Sequence, residues 1–203
     1  MRMLQTAVCA VAAFLLLAAA PAYATTVTGT IRYTDRTFDR TGFIGVRYLP
    51  VPYAKIELWT VDSDTGNPVA KIDTTTLTNE GAFSFTELSS VLGANALFQI
   101  KVFSDTTNLL GTPQPVRVLN LAGDVFSISF RGAGLVTDGS GFWTGNPGDL
   151  DTAGSLTISQ SNSGPFNILY CIAWSSYFVA QLEDGAFPPR VTVRWETGST
   201  QGT

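Results

Sequence analysis

The sequence predicts a mainly β protein: an antiparallel β-sandwich, then one C-terminal α-helix and a last strand, all preceded by a signal peptide. Three observations predict this. Short runs alternate apolar and polar residues with a period of two, and clusters of Gly, Pro, Asn and Asp separate them. Only one later run, Phe166 to Leu182, is long and apolar enough for a buried helix. The chain of 203 residues is 45% hydrophobic and 14% charged, which is too apolar for a disordered protein and sufficient for a sizeable core.

The leader comes first. Arg2 is a positive n-region, Ala7 to Ala20 is an apolar run, and Ala22-Tyr23-Ala24 has the small-residue pattern of a cleavage site. Residues 1–24 are expected to be removed, leaving a chain that starts at Thr25 and is secreted to the periplasm or the medium. The apolar run is short for a membrane span, which needs about 20 residues. No acid and one base leave with it, so the net charge moves from −4 to −5. That acidic balance argues against nucleic acid and against stable association with an anionic membrane. Cys9 leaves too, and Cys171 remains without a partner for an intrachain disulfide.

Val27, Gly29, Ile31 and Tyr33 alternate with polar residues and read as a half-buried strand. Asp35 to Pro52 contains two glycines and two prolines and reads as a long loop or a short local hairpin around Phe43 to Val46. Tyr53 to Val61 is a strand with Ala54, Ile56 and Leu58 inward and Lys55 and Glu57 outward. Asp62 to Pro68 is a turn, and Val69 to Thr76 a threonine-rich strand. Thr78-Asn79-Glu80-Gly81 then reverses the chain, and Phe83 and Phe85 point to one side of the strand that follows. Glu87 to Ala94 is a polar connection. Leu97 to Phe103 is a strand with Phe98, Ile100 and Val102 inward, and Asp105 to Pro115 is loop. Val116 to Leu121 and Val125 to Phe130 complete this block, residues 25–131.

Residues 132–164 are rich in Gly, Ser, Thr, Asp and Asn and read as a linker or an ordered cap. Residues 165–203 form a helix–strand extension. Ser163 can cap the helix and Pro165 suits its first turn. Ile168 to Trp174 is apolar nearly all round, so the helix is expected to be buried on more than one side. Tyr170, Trp174 and Phe178 become a partner surface if the sandwich does not cover them. Val191, Val193 and Trp195 alternate in the last strand.

Thr28-Gly29-Thr30-Ile31, Pro52 to Leu58, and the T-x-x-G-x-F-x-F run Thr78 to Phe85 together resemble the carboxypeptidase regulatory-like, or transthyretin-like, domain. The resemblance covers Val27 to Arg131 and implies a transthyretin-like sandwich serving as a non-catalytic accessory module on secreted proteins. The insertion from Asp35 to Pro52 departs from that pattern. Pro165 to Ile168 and Pro188 to Trp195 also look like the region ahead of the catalytic part of some secreted bacterial metallopeptidases, which implies an N-terminal fragment lacking its zinc-binding helix.

Chemistry is narrowed by one fact: the sequence contains no histidine. That excludes Ser-His-Asp and Cys-His constellations, an H-E-x-x-H zinc site and a histidine base. Cys171 alone cannot build a thiolate zinc site, and within an apolar helix it reads as an inert small hydrophobe. Asp62 with Asp64, and Asp149 with Asp151, resemble half of a calcium loop, but neither continues with the required ligands, and turn chemistry accounts for both. No cofactor is expected. Phe142 and Trp143, embedded in a glycine-rich loop, offer a stacking platform for a sugar ring or a plug for the sandwich end. The expectation is therefore a secreted, non-enzymatic module that contacts a protein, with carbohydrate binding as the alternative.

Overall fold

The computed structural model describes residues 27–86, 97–106, 116–130, 143–144, 155–184 and 188–196. The expected leader, the 87–94 connection, Phe142, Asp149 and Asp151 lie outside the described residues. In chain order the elements are β1 (Val27–Asp39), β2 (Gly42–Pro50), β3 (Ala54–Val61), β4 (Pro68–Thr76), β5 (Ala82–Phe85), β6 (Leu97–Thr106), β7 (Val116–Leu119), β8 (Ser127–Phe130), β9 (Trp143–Thr144), β10 (Ser155–Ile158), a 3-10 turn (Gln160–Asn162), α1 (Gly164–Leu182) and β11 (Val191–Arg194). Among the described residues the molecule is mainly β, with two sheets and one long helix.

Each sheet is built on one long strand. β1 carries β10 along one edge, and β5 followed by β2 along the other. β6 carries β3 along one edge, with β4 beyond it. Its other edge holds β9, β8 and β7 in succession, and β11 pairs outside β7. One buried cluster takes Val27, Ile31, Tyr33 and Phe85 from the first sheet, Ile56, Leu58, Phe98 and Ile100 from the second, and Phe166 and Leu169 from α1. The two sheets and the helix therefore share a core. Phe83 and Phe85 face it as the alternation predicts.

The hand-over from β5 to β2 along β1 happens at Ile31. Its N–H donates to the carbonyl of Gly81, and its carbonyl accepts from the N–H of Val51. Gly81 has φ +74°, and a Cβ there would stand 2.4 Å from the Ile31 carbonyl oxygen. Only glycine allows the turn to close this tightly on the strand.

The structure corrects several expectations. The pairing is not purely antiparallel: β10 runs parallel to β1, and β11 parallel to β7. Both late strands arrive after long crossovers, which is what parallel pairing requires. Asp35 to Pro52 is neither loop nor short hairpin. β1 continues to Asp39 and pairs with β2 as far as Gly42, because β-branched and aromatic residues alternate throughout and Thr41 closes the turn by donating its N–H and hydroxyl to Asp39. β6 likewise runs on through Asp105 to Thr106. Ser155–Ile158, within the stretch read as loop or cap, is a strand with Leu156 and Ile158 buried.

The helix differs too. Phe166, Leu169, Ala173, Ser176 and Ala180 are buried, spaced three and four apart, which is a single stripe rather than burial all round. Cys171 lies outside that stripe and is exposed, so it is not a core residue. Ser163 does not cap α1 with its side chain: its hydroxyl donates back to the Gln160 carbonyl. Glu57 is on the outward face but is 6% exposed, held there by Lys55 and Trp59.

Gly81→Ala should lower the stability of the fold by about 2–4 kcal/mol, through a forced positive φ and a clash with backbone that cannot yield. Urea unfolding followed by tryptophan fluorescence measures it. An unchanged midpoint would show that the β5–β2 hand-over does not depend on this close approach.

Candidate functional site

Past Tyr33, β1 leaves β10 behind and projects with β2 as a two-stranded ribbon. A cleft of about 440 Å³ opens where this ribbon meets the start of α1. Asp35, Arg36 and Phe38 from β1 line one wall. Gln160 from the 3-10 turn, Asn167 from the first turns of α1 and Trp195 beyond β11 line the other.

Trp195 reaches the cleft because α1 starts with glycine. A Cβ at Gly164 would lie 2.5 Å from the indole ring, so the ring rests against bare helix backbone. Trp195 also packs edge-on against Phe126, and its N–H donates to the Leu119 carbonyl.

The floor is a charged network. Asp35 is 8% exposed, and a buried carboxylate is tolerated only when its oxygens are engaged. Oδ2 accepts from Arg47 Nε at 2.8 Å, across the ribbon. Oδ1 accepts from Asn167 Nδ2 at 3.2 Å, across the gap to the helix. The Asn167 carbonyl oxygen in turn accepts from the Tyr33 hydroxyl at 3.4 Å and the Cys171 thiol at 3.6 Å. The bond to Asp35 raises Arg47 above its usual value, so the guanidinium stays charged. Burial first, and the Asp35 charge second, push the Tyr33 hydroxyl far above the ordinary phenol range. Tyr33 is therefore a permanent donor. It also begins an aromatic ladder, Tyr33–Tyr170–Trp174–Tyr177, with ring centroids 5.9, 6.2 and 5.7 Å apart.

Of the described residues singled out from sequence, Tyr170 and Trp174 join this ladder, and none lines the cleft. Asp62 and Asp64 sit in an exposed turn, where Asp62 Oδ1 accepts from Thr65 N at 2.7 Å, Thr65 Oγ1 at 2.8 Å and Asp64 N at 3.1 Å. The Thr65 bonds hold Asp62 below the usual carboxylate range, and they account for the carboxylate as a turn-former. Among the described residues no three His, Cys, Asp or Glu side chains could hold a metal together. The backbone of Trp143 pairs with Phe98. Tyr170 and Trp174 are half-buried, and Trp174 Nε1 is buried without an acceptor, whereas Phe178 is 61% exposed. Sequence reading missed Asp35, Arg47 and Asn167. A signal existed: an Asp and an Arg twelve residues apart around a hairpin turn, and a lone amide in the first turns of an apolar helix.

No family model and no curated protein matches the sequence. Two solved structures are similar at a low level. A 9R-lipoxygenase from Cyanothece PCC8801 is 14% identical with a TM-score of 0.33, over 68% of this chain and 17% of the lipoxygenase. The major plantain pollen allergen Pla l 1 is 13% identical with a TM-score of 0.27, over 67% of this chain and 93% of the allergen. The chain thus spans less than a fifth of the lipoxygenase, and at these scores neither likeness bears on function.

The raised Tyr33 pKa carries a pH dependence. Its protonated form is favoured by folding, so its contribution is whole below the unfolded value of about 10 and is lost as pH rises beyond it. Wild-type stability should therefore fall from about pH 10 upward more steeply than that of Tyr33→Phe. Equal slopes in urea titrations across that range would contradict the burial of the hydroxyl.

Proposed function

We propose that this chain is an exported, non-catalytic accessory module, a transthyretin-like sandwich that presents the ribbon and its cleft to a binding partner. One observation carries the reading. Asp35, the only acid among the described residues that line the cleft, has both oxygens committed, to Arg47 and to Asn167. A general acid or base must be free to exchange a proton with a substrate. This carboxylate instead fixes the shape of the cleft. The absence of histidine from the sequence supports the same reading.

A second reading, carbohydrate binding, is supported by the cleft walls. Phe38 and Trp195 supply aromatic faces, and Arg36, Gln160 and Asn167 supply planar hydrogen-bonding groups. This moves the aromatic contribution away from Phe142 and Trp143, which the loop version would use.

One purified preparation tests both. Offered chromogenic ester, glycoside and peptide substrates, it should show no turnover above buffer, and turnover abolished by Asp35→Asn would overturn the main reading. Run through gels containing soluble polysaccharides, it should be retarded only if the second reading holds. In that case Phe38→Ser, at an exposed position, should remove the retardation and leave the melting temperature unchanged.

A further inference from the structure

We propose that the outer edge of β2 pairs antiparallel with the β2 edge of a second copy of this chain, joining two first sheets across a two-fold axis. The inference is independent of what the cleft binds.

The ribbon is the starting point. Beyond Tyr33 it consists of two strands only, and two strands with an apolar face in water are marginal. Phe43, Ile44, Val46 and Tyr48 on β2 are 57%, 60%, 46% and 58% exposed, and Phe38 adjoins them, in edge contact with Phe43 at 5.8 Å. β2 ends the order of its sheet, so its outer backbone groups have no strand partner among the described residues.

An edge of this kind is normally blunted by proline, lysine or another unpaired charge. The edge strand of the second sheet, β4, has both devices: it starts at Pro68 and carries the half-exposed Lys71. β2 has neither within its exposed span. Its one charge, Arg47, is already neutralised by Asp35 of the same chain. No other charge in β2 stands against an incoming strand.

The sequence of β2 also selects the partner. A two-fold axis normal to the sheet can pass through one residue and its own copy. Centred on Arg47 it would set two guanidinium groups face to face. Centred on Val46 it sets Val46 against Val46, Ile44 against Tyr48 and Phe43 against Leu49, with Arg47 opposite Gly45. Apolar side chains then meet apolar side chains across the join, and the contact is isologous and closed. The unpaired Arg36, on β1 opposite Val46, would lie three strand spacings from its copy, about 14 Å. That exceeds a screening length of about 8 Å, so the two charges do not oppose the join.

Sedimentation equilibrium on the exported chain should show a reversible dimer at concentrations up to about 100 µM, weakened tenfold or more by Val46→Lys. Val46 is exposed, so the variant should keep the wild-type circular dichroism and melting curve. As a second arm, Val46→Cys in a Cys171→Ser background should cross-link to itself on mild oxidation, since directly opposed Cα atoms stand about 4.5–5.5 Å apart, within disulfide range. Val69→Cys on β4, more exposed still, should not. A monomer throughout, a dimer indifferent to Val46→Lys, or equal cross-linking from β4 would each overturn the proposal.

Discussion

The position of the helix depends on one buried carboxylate. Asp35 is carried into the interior because β1 must run straight through both halves of the first sheet, and at that point the strand passes beneath α1. A carboxylate there is a liability of several kcal/mol unless its oxygens are engaged. Arg47 meets one oxygen from the neighbouring strand, and Asn167 meets the other from a helix 132 residues away in sequence. The same amide binds Tyr33, so sheet, ribbon and helix are tied at one group. Apolar packing alone would let α1 slide along its stripe, since burial has no direction. The Asp35–Asn167 bond gives the helix a fixed register, and the cleft is the space left beside it.

The second sheet repeats half of this device. Asp105, far along β6, is 4% exposed and accepts from Arg117 on the adjoining strand, again twelve residues on. Among the described residues no amide completes it, and its Oδ1 is buried without a partner. Each long strand thus carries a buried aspartate clamped by an arginine across a strand pair, and in the first sheet the second oxygen also binds another element.

Much of this was legible in the sequence, and the rest was not for definite reasons. The alternation at Ala54–Leu58, Phe83–Phe85 and Phe98–Val102 marked the core-facing residues correctly, though Glu57 and Gln99 on the opposite faces are buried too. The ribbon was misread because glycines and prolines in Asp35–Pro52 outweighed its alternation. There, however, Gly42 and Gly45 take positive φ at a turn and a bulge, and so serve the hairpin instead of breaking it. The helix was expected to be buried on more than one side because its apolar residues outnumber the positions that face the core, which leaves Phe178, Val179 and Leu182 outside. β11 was read from its alternation, but β10 was not read as a strand and neither parallel pairing was foreseen, since what recruits both strands lies across the fold. The cleft was invisible for the same reason: Asp35, Arg47 and Asn167 become one site only through pairings set by distant segments.

The central claim is that Asp35 and Asn167 act as one unit that sets the helix on the sheet. A double-mutant cycle in urea, with Asp35→Ala, Asn167→Ala and both together, measures that most directly. The account predicts a coupling of about 1–2 kcal/mol, because either single change already leaves the other group without its partner. Additive losses would mean that the two groups act independently, and that the helix is held by its apolar stripe alone.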